Sequence, residues 1–562
     1  MSDTTGTSTA PVMGGAAKAV LITLAAAQFV MILDASVMNV SIATVAKDLG
    51  TTVTGIQTAI TLYTLVMAAF MITGGRMGAI LGRKRAFTIG CVIYACGSFT
   101  TAISPNLAVM IFGWSFLEGI GATLVMPAIV ALVASNFPKS ERPKAYGLVA
   151  VGGAIAVGVG PLIGGLFTTY WSWRYVFACE VLIIGVVMLL NRRTADTPPE
   201  EGAKLDLVGT ALSALGLGLI VYGVLRAGSW GFVHAKPGAP MWLGLSPVIW
   251  LMLAGGVVLL GFLEWEKYRR DANKPALLDP AMLRVKLLRT GLLAFFFQYL
   301  LQAGLFFAVP LFLSIALGLT ALQTGVRILP LSITLVIAAM GIPKVFPKAS
   351  PRRISQLGFL ALFLGLVIFV ALLDAGAGAE IVTWPMILAG FGIGALASQL
   401  GAVTVSSQPD ELSGEVGGLQ NTFSNLGISI GTALAGAVLM SALTTSFFTG
   451  ITTNPAVPSD VSSQAEVSLS SGVPFISDAD LEAALNDAGV TDPTASAIVD
   501  ENAAARLDAL RASLAVLAIL ALIALLLSRS LPTTPLGAEP NTEPDTEPAT
   551  SATAPTPKPE SA

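Results

Sequence analysis

Charge is what this chain has least of. Asp, Glu, Lys and Arg make up 12% of its 562 residues, and histidine occurs once, at His234. So little charge excludes the several soluble domains that the length alone would suggest. Cysteine is equally scarce. Cys91, Cys96 and Cys179 all lie in apolar segments, so no extracytoplasmic disulfide framework holds the fold. The chain has no Cys/His cluster, no nucleophile–base constellation and no phosphate-cradling GxxxxGKS/T run. These absences predict that it is not an enzyme: no catalytic residues, no metal, no cofactor and no direct use of ATP. The net charge of −3 carries no information about partners, because the charges are segregated rather than spread. No nucleic-acid partner is expected.

What is abundant is apolar sequence. Hydrophobic residues reach 54%, with a mean hydropathy of +0.78. Runs long enough to cross a bilayer core of roughly 30 Å recur along the chain, which predicts an all-α polytopic membrane protein. Fourteen spans are expected, at 18–45, 54–78, 86–104, 107–136, 144–170, 174–191, 206–226, 246–266, 288–316, 321–342, 354–374, 381–407, 414–445 and 511–530. The first, entered after Lys18, is too long for a signal-peptide core and reads as retained. With the N-terminus inside, the even-numbered connections through 10–11 hold 21 of the 31 Lys and Arg. Seven fall outside: Lys47, Arg174, Arg226, Lys236, Arg327, Arg506 and Arg511. That asymmetry predicts both termini in the cytoplasm. An acidic outer insert at 446–510 includes SDADLEAALNDAG, which reads as a short surface helix. The tail at 531–562 is low-complexity, with nothing to bury, and is expected to be disordered.

A charge inside a span costs roughly 2.5–3.5 kcal/mol on insertion scales, so each one calls for a role. Three acids stand out: Asp34 in span 1, Glu118 in span 4 and Glu180 near the start of span 6. A desolvated carboxyl has its pKa raised and can load and release a proton near neutral pH. Ionised, it can hold a lipophilic cation, and competition between the two gives exchange. At helical spacing, Met38 lies beside Asp34, and Trp114 and Ser115 beside Glu118. Their polarizable groups suit flat aromatic cations; ordinary packing is the competing reading. Arg174 is close enough in sequence to hold Glu180 near the outer surface, so a salt bridge there competes with the site reading.

In span 5, Gly152, Ala156, Gly160 and Gly164 recur every four residues around Pro161, with Gly165 following. Such a stripe lets a second helix approach closely, and a bilayer helix tolerates the proline kink. The face from Gly152 to Gly165 is the expected sliding contact.

Several stretches together resemble the fourteen-span drug/proton antiporter branch of the major facilitator superfamily. LDASVMNVSIATVAKDL resembles the branch's first helix, GPLIGG followed by WSWRYVF its spans 5–6, and LDLVGTALSALGLGLIVYGVL its extra central helices. TALQTGVRILPL and GGLQNTFSNLGISIGTALAGAVL look like spans 10 and 13. GGRMGAILGRKR resembles the superfamily's cytoplasmic gating loop, with Gly75, Gly82, Arg83 and Lys84 at its positions.

The resemblance implies a major facilitator fold with 14 transmembrane helices. Residues 1–17 would precede an N-terminal six-helix bundle at 18–191. Two extra helices at 192–287 and a C-terminal bundle at 288–530 would follow. It implies a multi-pass protein of the bacterial inner membrane, expected to be a monomer, exporting small hydrophobic or cationic compounds in exchange for protons. The chain departs from the pattern at Ala79 and Ile80, where the loop has Asp and Arg, and at Ser115, Glu118 and Glu180, where the family has Arg, Gln and Asn. Two readings stay open here: a rewired proton path, or export of a lipid or other amphiphile with altered or absent proton coupling.

Overall fold

The computed structural model describes residues 15–533 apart from 139–141, 197–198, 200–203, 237, 347–348, 375, 409–412, 470–472 and 491. The expected disordered tail lies outside these residues beyond 533.

Long helices dominate. In order they are α1 (Gly15–Asp48), α2 (Val53–Leu81), α3 (Arg83–Ala102) and α4 (Leu107–Met110), which runs through a π-helical stretch (Ile111–Glu118) into α5 (Gly119–Asn136). Then come α6 (Arg142–Tyr170), α7 (Arg174–Asn191), α8 (Leu207–Trp230), α9 (Pro247–Asp271), α10 (Lys286–Leu311), α11 (Ala321–Val345) and α12 (Pro351–Leu372). The last are α13 (Thr383–Val405), α14 (Ser413–Thr453), α15 (Ser459–Ser468), α16 (Asp478–Asp487) and α17 (Thr494–Leu527). Polar caps start several of them: Thr52 accepts from Gly55 N, Ser350 from Arg353 N, and Ser246 precedes Pro247 at the first turn of α9.

Among the described residues, twelve helices are long and apolar enough to cross a membrane, or thirteen with the bent α6 counted as one. The bend, 43° between Val157 and Val159, sits one turn before Pro161, whose ring removes the hydrogen bond to residue 157. The rod that separates this count from the expected fourteen is α3. It opens on Arg83, Lys84 and Arg85 and carries Tyr94, Ser98, Thr100 and Thr101, so it is the least apolar of the long helices of the two bundles.

The helices α1–α7 pack on one another as one bundle, and α10–α14 with α17 as a second. The two meet along α6–α11 and along α2–α14, and α8 lies against both α2 and α14, with α9 behind it. On the second seam, Gln57 Nε2 donates to Thr432 O at 2.9 Å, and the Thr64 and Ser429 hydroxyls pair.

The span-5 stripe corrects the expectation in part. Gly152, Gly160 and Gly164 face Ala25, Ser36 and Val37 of α1, within the same bundle. Only its far end crosses between bundles: a methyl at Gly165 would meet Ala321 O at 2.5 Å, and one at Gly325 would overlap Pro161 O.

The expected insert boundaries also shift. Helix α14 continues to Thr453 and α17 begins at Thr494, well before residue 511. Between them, the short helix expected in SDADLEAALNDAG spans Asp478–Asp487. It is pinned by Arg506, 2% exposed, which pairs with Asp478 and donates to Ile476 O at 2.8 Å. Asp478→Ala would leave that guanidinium buried without its carboxylate. The expected cost is below the roughly 3–5 kcal/mol of a fully buried pair, because Asp478 is 46% exposed. A lowered Tm and new chymotryptic cleavage at Phe475 would report it. Unchanged melting and cleavage would show that the link carries no stability.

Candidate functional site

The buried acids of the first bundle meet. Asp34 comes from α1, Glu118 from the end of the π-helical stretch and Glu180 from the second turn of α7. One oxygen from each lies within 4.8 Å of the others, and all three residues are 0% exposed. Trp114 Nε1 donates to both Asp34 oxygens, at 2.7 and 2.9 Å. Tyr63 of α2 stacks on that indole, with centroids 5.1 Å apart and planes 7° from parallel.

Helix α3 supplies the remaining donors. Tyr94 Oη and Ser98 Oγ donate to Glu180 Oε2 at 3.4 and 3.3 Å, and Thr101 Oγ1 to Glu118 Oε1 at 3.1 Å. It comes this close because Gly97 has no side chain: a methyl there would lie 2.7 Å from Glu118 N. Glu118 Oε2 and Glu180 Oε1 have no hydrogen-bond partner. Among the described residues, no Lys or Arg forms an ion pair with any of the three.

Two carboxylates 4.8 Å apart repel by about 3–4 kcal/mol at an effective dielectric of ~20. Such a cluster is least costly when protons or a cation neutralise it. Its oxygen-only donor set is also one that a hard cation accepts.

The expected bridge from Arg174 to Glu180 does not form. Arg174 pairs with Asp48, donates to Ser104 O at 2.8 Å and lies over the Trp173 ring, which leaves Glu180 to the interior. Ser115 is 1% exposed and donates to Ala59 O of α2 at 2.8 Å. Met38 is buried at 1% exposure, in the core.

At the other end of the bundle, Gly82 turns the chain with φ 94° between α2 and α3. Arg83 Nη1 donates to Ala131 O at 3.3 Å, and Lys84 Nζ to Thr194 O at 2.7 Å and Arg192 O at 3.2 Å. Asp196 Oδ1 accepts from Lys84 N at 3.1 Å, so a carboxylate from the α7–α8 connection sits beside the loop whose own acid position is Ala79. Gly75 has room: a methyl there would make ordinary contact with Pro127 at 3.6 Å, whereas one on Gly74 would overlap Thr123 O. The tight α2–α5 approach is therefore at Gly74.

Sequence reasoning missed Tyr63, Tyr94, Ser98, Thr101, Gly97 and Gln57. For α3 the signal was present, since Tyr94, Ser98 and Thr101 fall at helical spacing in an otherwise apolar run.

The family model of the Major Facilitator Superfamily matches residues 24–432. A Streptomyces coelicolor protein named "Probable actinorhodin transporter" is 29% identical over 434 residues, covering 74% of this chain and 71% of its own. The multidrug export protein EmrB of Escherichia coli is 25% identical over 428 residues, covering 75% and 80%. Among solved structures, a bacterial homolog of the human lysosomal transporter Spinster, inward-facing and occupied, superposes with a TM-score of 0.57 at 14% identity. It covers 92% of this chain and 98% of that one, and shows the fold.

Proposed function

The chain belongs to the major facilitator superfamily, and from that premise we propose that it exports small hydrophobic, cationic compounds across a bacterial inner membrane in exchange for protons. Fourteen helices cross the bilayer in this reading, with α3 among them and both termini in the cytoplasm, and one copy is the working unit. The relatives' names, multidrug export and antibiotic transport, support efflux.

The observation that carries the coupling is the convergence of Asp34, Glu118 and Glu180 from three elements with no basic partner among the described residues. Protons neutralise the cluster in one state. In the other, its negative charge favours a cation at the bundle interface, so proton and cation compete for the same acids. The two seams, α6–α11 and α2–α14, are where one bundle rocks on the other. Gly165, Pro161 and Gly325 form a close pivot on the first of these seams.

Protein reconstituted into liposomes with an imposed proton gradient is expected to move ethidium, and a protonophore to stop it. Dye export that persists after the gradient is collapsed would sink the coupling. A folded protein that moves no dye under any gradient would sink the multidrug reading.

A further inference from the structure

Between α8 and α14 the structure leaves a cavity of about 520 Å³, within the size range of small-molecule sites. Val224 and Ala227 of α8 and Leu434, Ala437 and Val438 of α14 form its apolar walls. A single charged side chain, Lys236 of the α8–α9 connection, lines it. Lys236 Nζ donates to Gly228 O at 2.8 Å, one partner for a group with three donors. Among the described residues no ion pair to it is found, and from residue 207 to 263 the chain has no carboxylate at all. Desolvation holds the Lys236 ammonium below the usual lysine range, which an anion beside it would offset.

The same end of α8 and α9 carries the marks of a lipid–water boundary. The Arg226 guanidinium lies 5.3 Å from the ring centroids of both Tyr222 and Trp230, and Trp250 Nε1 donates to Trp242 O at 3.0 Å. Met241 and Leu243 of the connection are 64% and 86% exposed. Aromatic and cationic residues clustered beside exposed apolar ones are what headgroup depth selects.

We propose that this cavity is a binding site for an anionic phospholipid of the surrounding bilayer, its phosphate on Lys236 and an acyl chain along the α8–α14 wall. The lipid is a resident rather than cargo. It fills the wedge between the appended helices and the α2–α14 seam, and its headgroup supplies the anion that this stretch of chain lacks.

The test is native mass spectrometry of the full-length protein exposed to equimolar phosphatidylglycerol and phosphatidylcholine with identical chains. Wild type is expected to retain phosphatidylglycerol several-fold over phosphatidylcholine. Lys236→Gln should abolish that preference while leaving dye efflux, the measure of folding, unchanged. Leu434→Trp, which fills the chain groove, should lower retention of both lipids. Equal retention of the two lipids by wild type, or an undiminished preference in Lys236→Gln, overturns the proposal. Lys236→Gln decides the matter even if Leu434→Trp fails to fold.

Discussion

Asp34→Asn is expected to reduce dye efflux to the level of cells lacking the protein while leaving it as stable as wild type or more so. The two halves of that result have one cause. Asparagine keeps the volume of aspartate and still accepts from Trp114 Nε1, which holds the wild-type side chain at 2.7 and 2.9 Å. The packing around α1 therefore survives. On the proposed mechanism, what is lost is the group that exchanges a proton, and with it the competition that would couple transport to the gradient. Removing one acid from three that share a 4.8 Å site also removes like-charge repulsion of about 3–4 kcal/mol per ionised pair at an effective dielectric of ~20. Carboxyls ionise more fully as pH rises, so the stability advantage of the variant should grow toward alkaline pH. A site that gives up stability when it keeps its function is a familiar trade. Melting curves at pH 6 and pH 9, beside efflux assays, separate the outcomes. Gradient-driven efflux that persists in Asp34→Asn would remove Asp34 from the coupling step. A variant that melts earlier at both pH values would make Asp34 a structural residue.

The second large effect is expected at Gly74, and its neighbour provides the control. A methyl on Gly74 would overlap the carbonyl of Thr123, and a backbone carbonyl in a packed helix cannot step aside. Overpacking of this kind costs roughly 1–3 kcal/mol and sometimes more. Gly74→Ala should therefore give little folded protein by fluorescence-detected size exclusion and a clearly lower Tm. Gly75→Ala meets only Pro127, at an ordinary 3.6 Å, and should fold normally. If Gly75 takes part in gating, that variant loses efflux without losing stability. Equal stability in the two variants would mean that α2 and α5 are looser than the structure shows.

Much of this architecture can be read from the chain, because a bilayer imposes its own length scale. Apolar runs bounded by Lys and Arg place most of the helices, α3 among them, to within a few residues, whereas α14 and α17 run on past their expected spans. In α3 the hydroxyls of Tyr94, Ser98 and Thr101 are the ones donating to Glu118 and Glu180. The acids were individually visible as charges in apolar surroundings. Their convergence was not, since it depends on how α1, the π-helical stretch and α7 pack. The π-helical stretch was not legible in the sequence either. At 3.6 residues per turn, Trp114, Ser115 and Glu118 share one face. Over Ile111–Glu118 the wider turn leaves Trp114 on Asp34 and sends Ser115 to Ala59 O. Arg174 was misassigned for the opposite reason: a neighbour in sequence, Glu180, was weighed above a neighbour in space, Asp48.

The acids share one further property, which concerns where they are not. Among the described residues, no Asp or Glu after residue 286 is as fully enclosed as Asp34, Glu118 and Glu180, which all belong to the first bundle. On the proposed mechanism the acids for which proton and cation compete are confined to the first half, and the second half supplies only the rest of the cargo's surroundings. The second half could then exchange side chains along its inner face without touching these acids. A hybrid joining residues 1–285 to the second half of a relative would be expected to keep its proton dependence and to change what it exports.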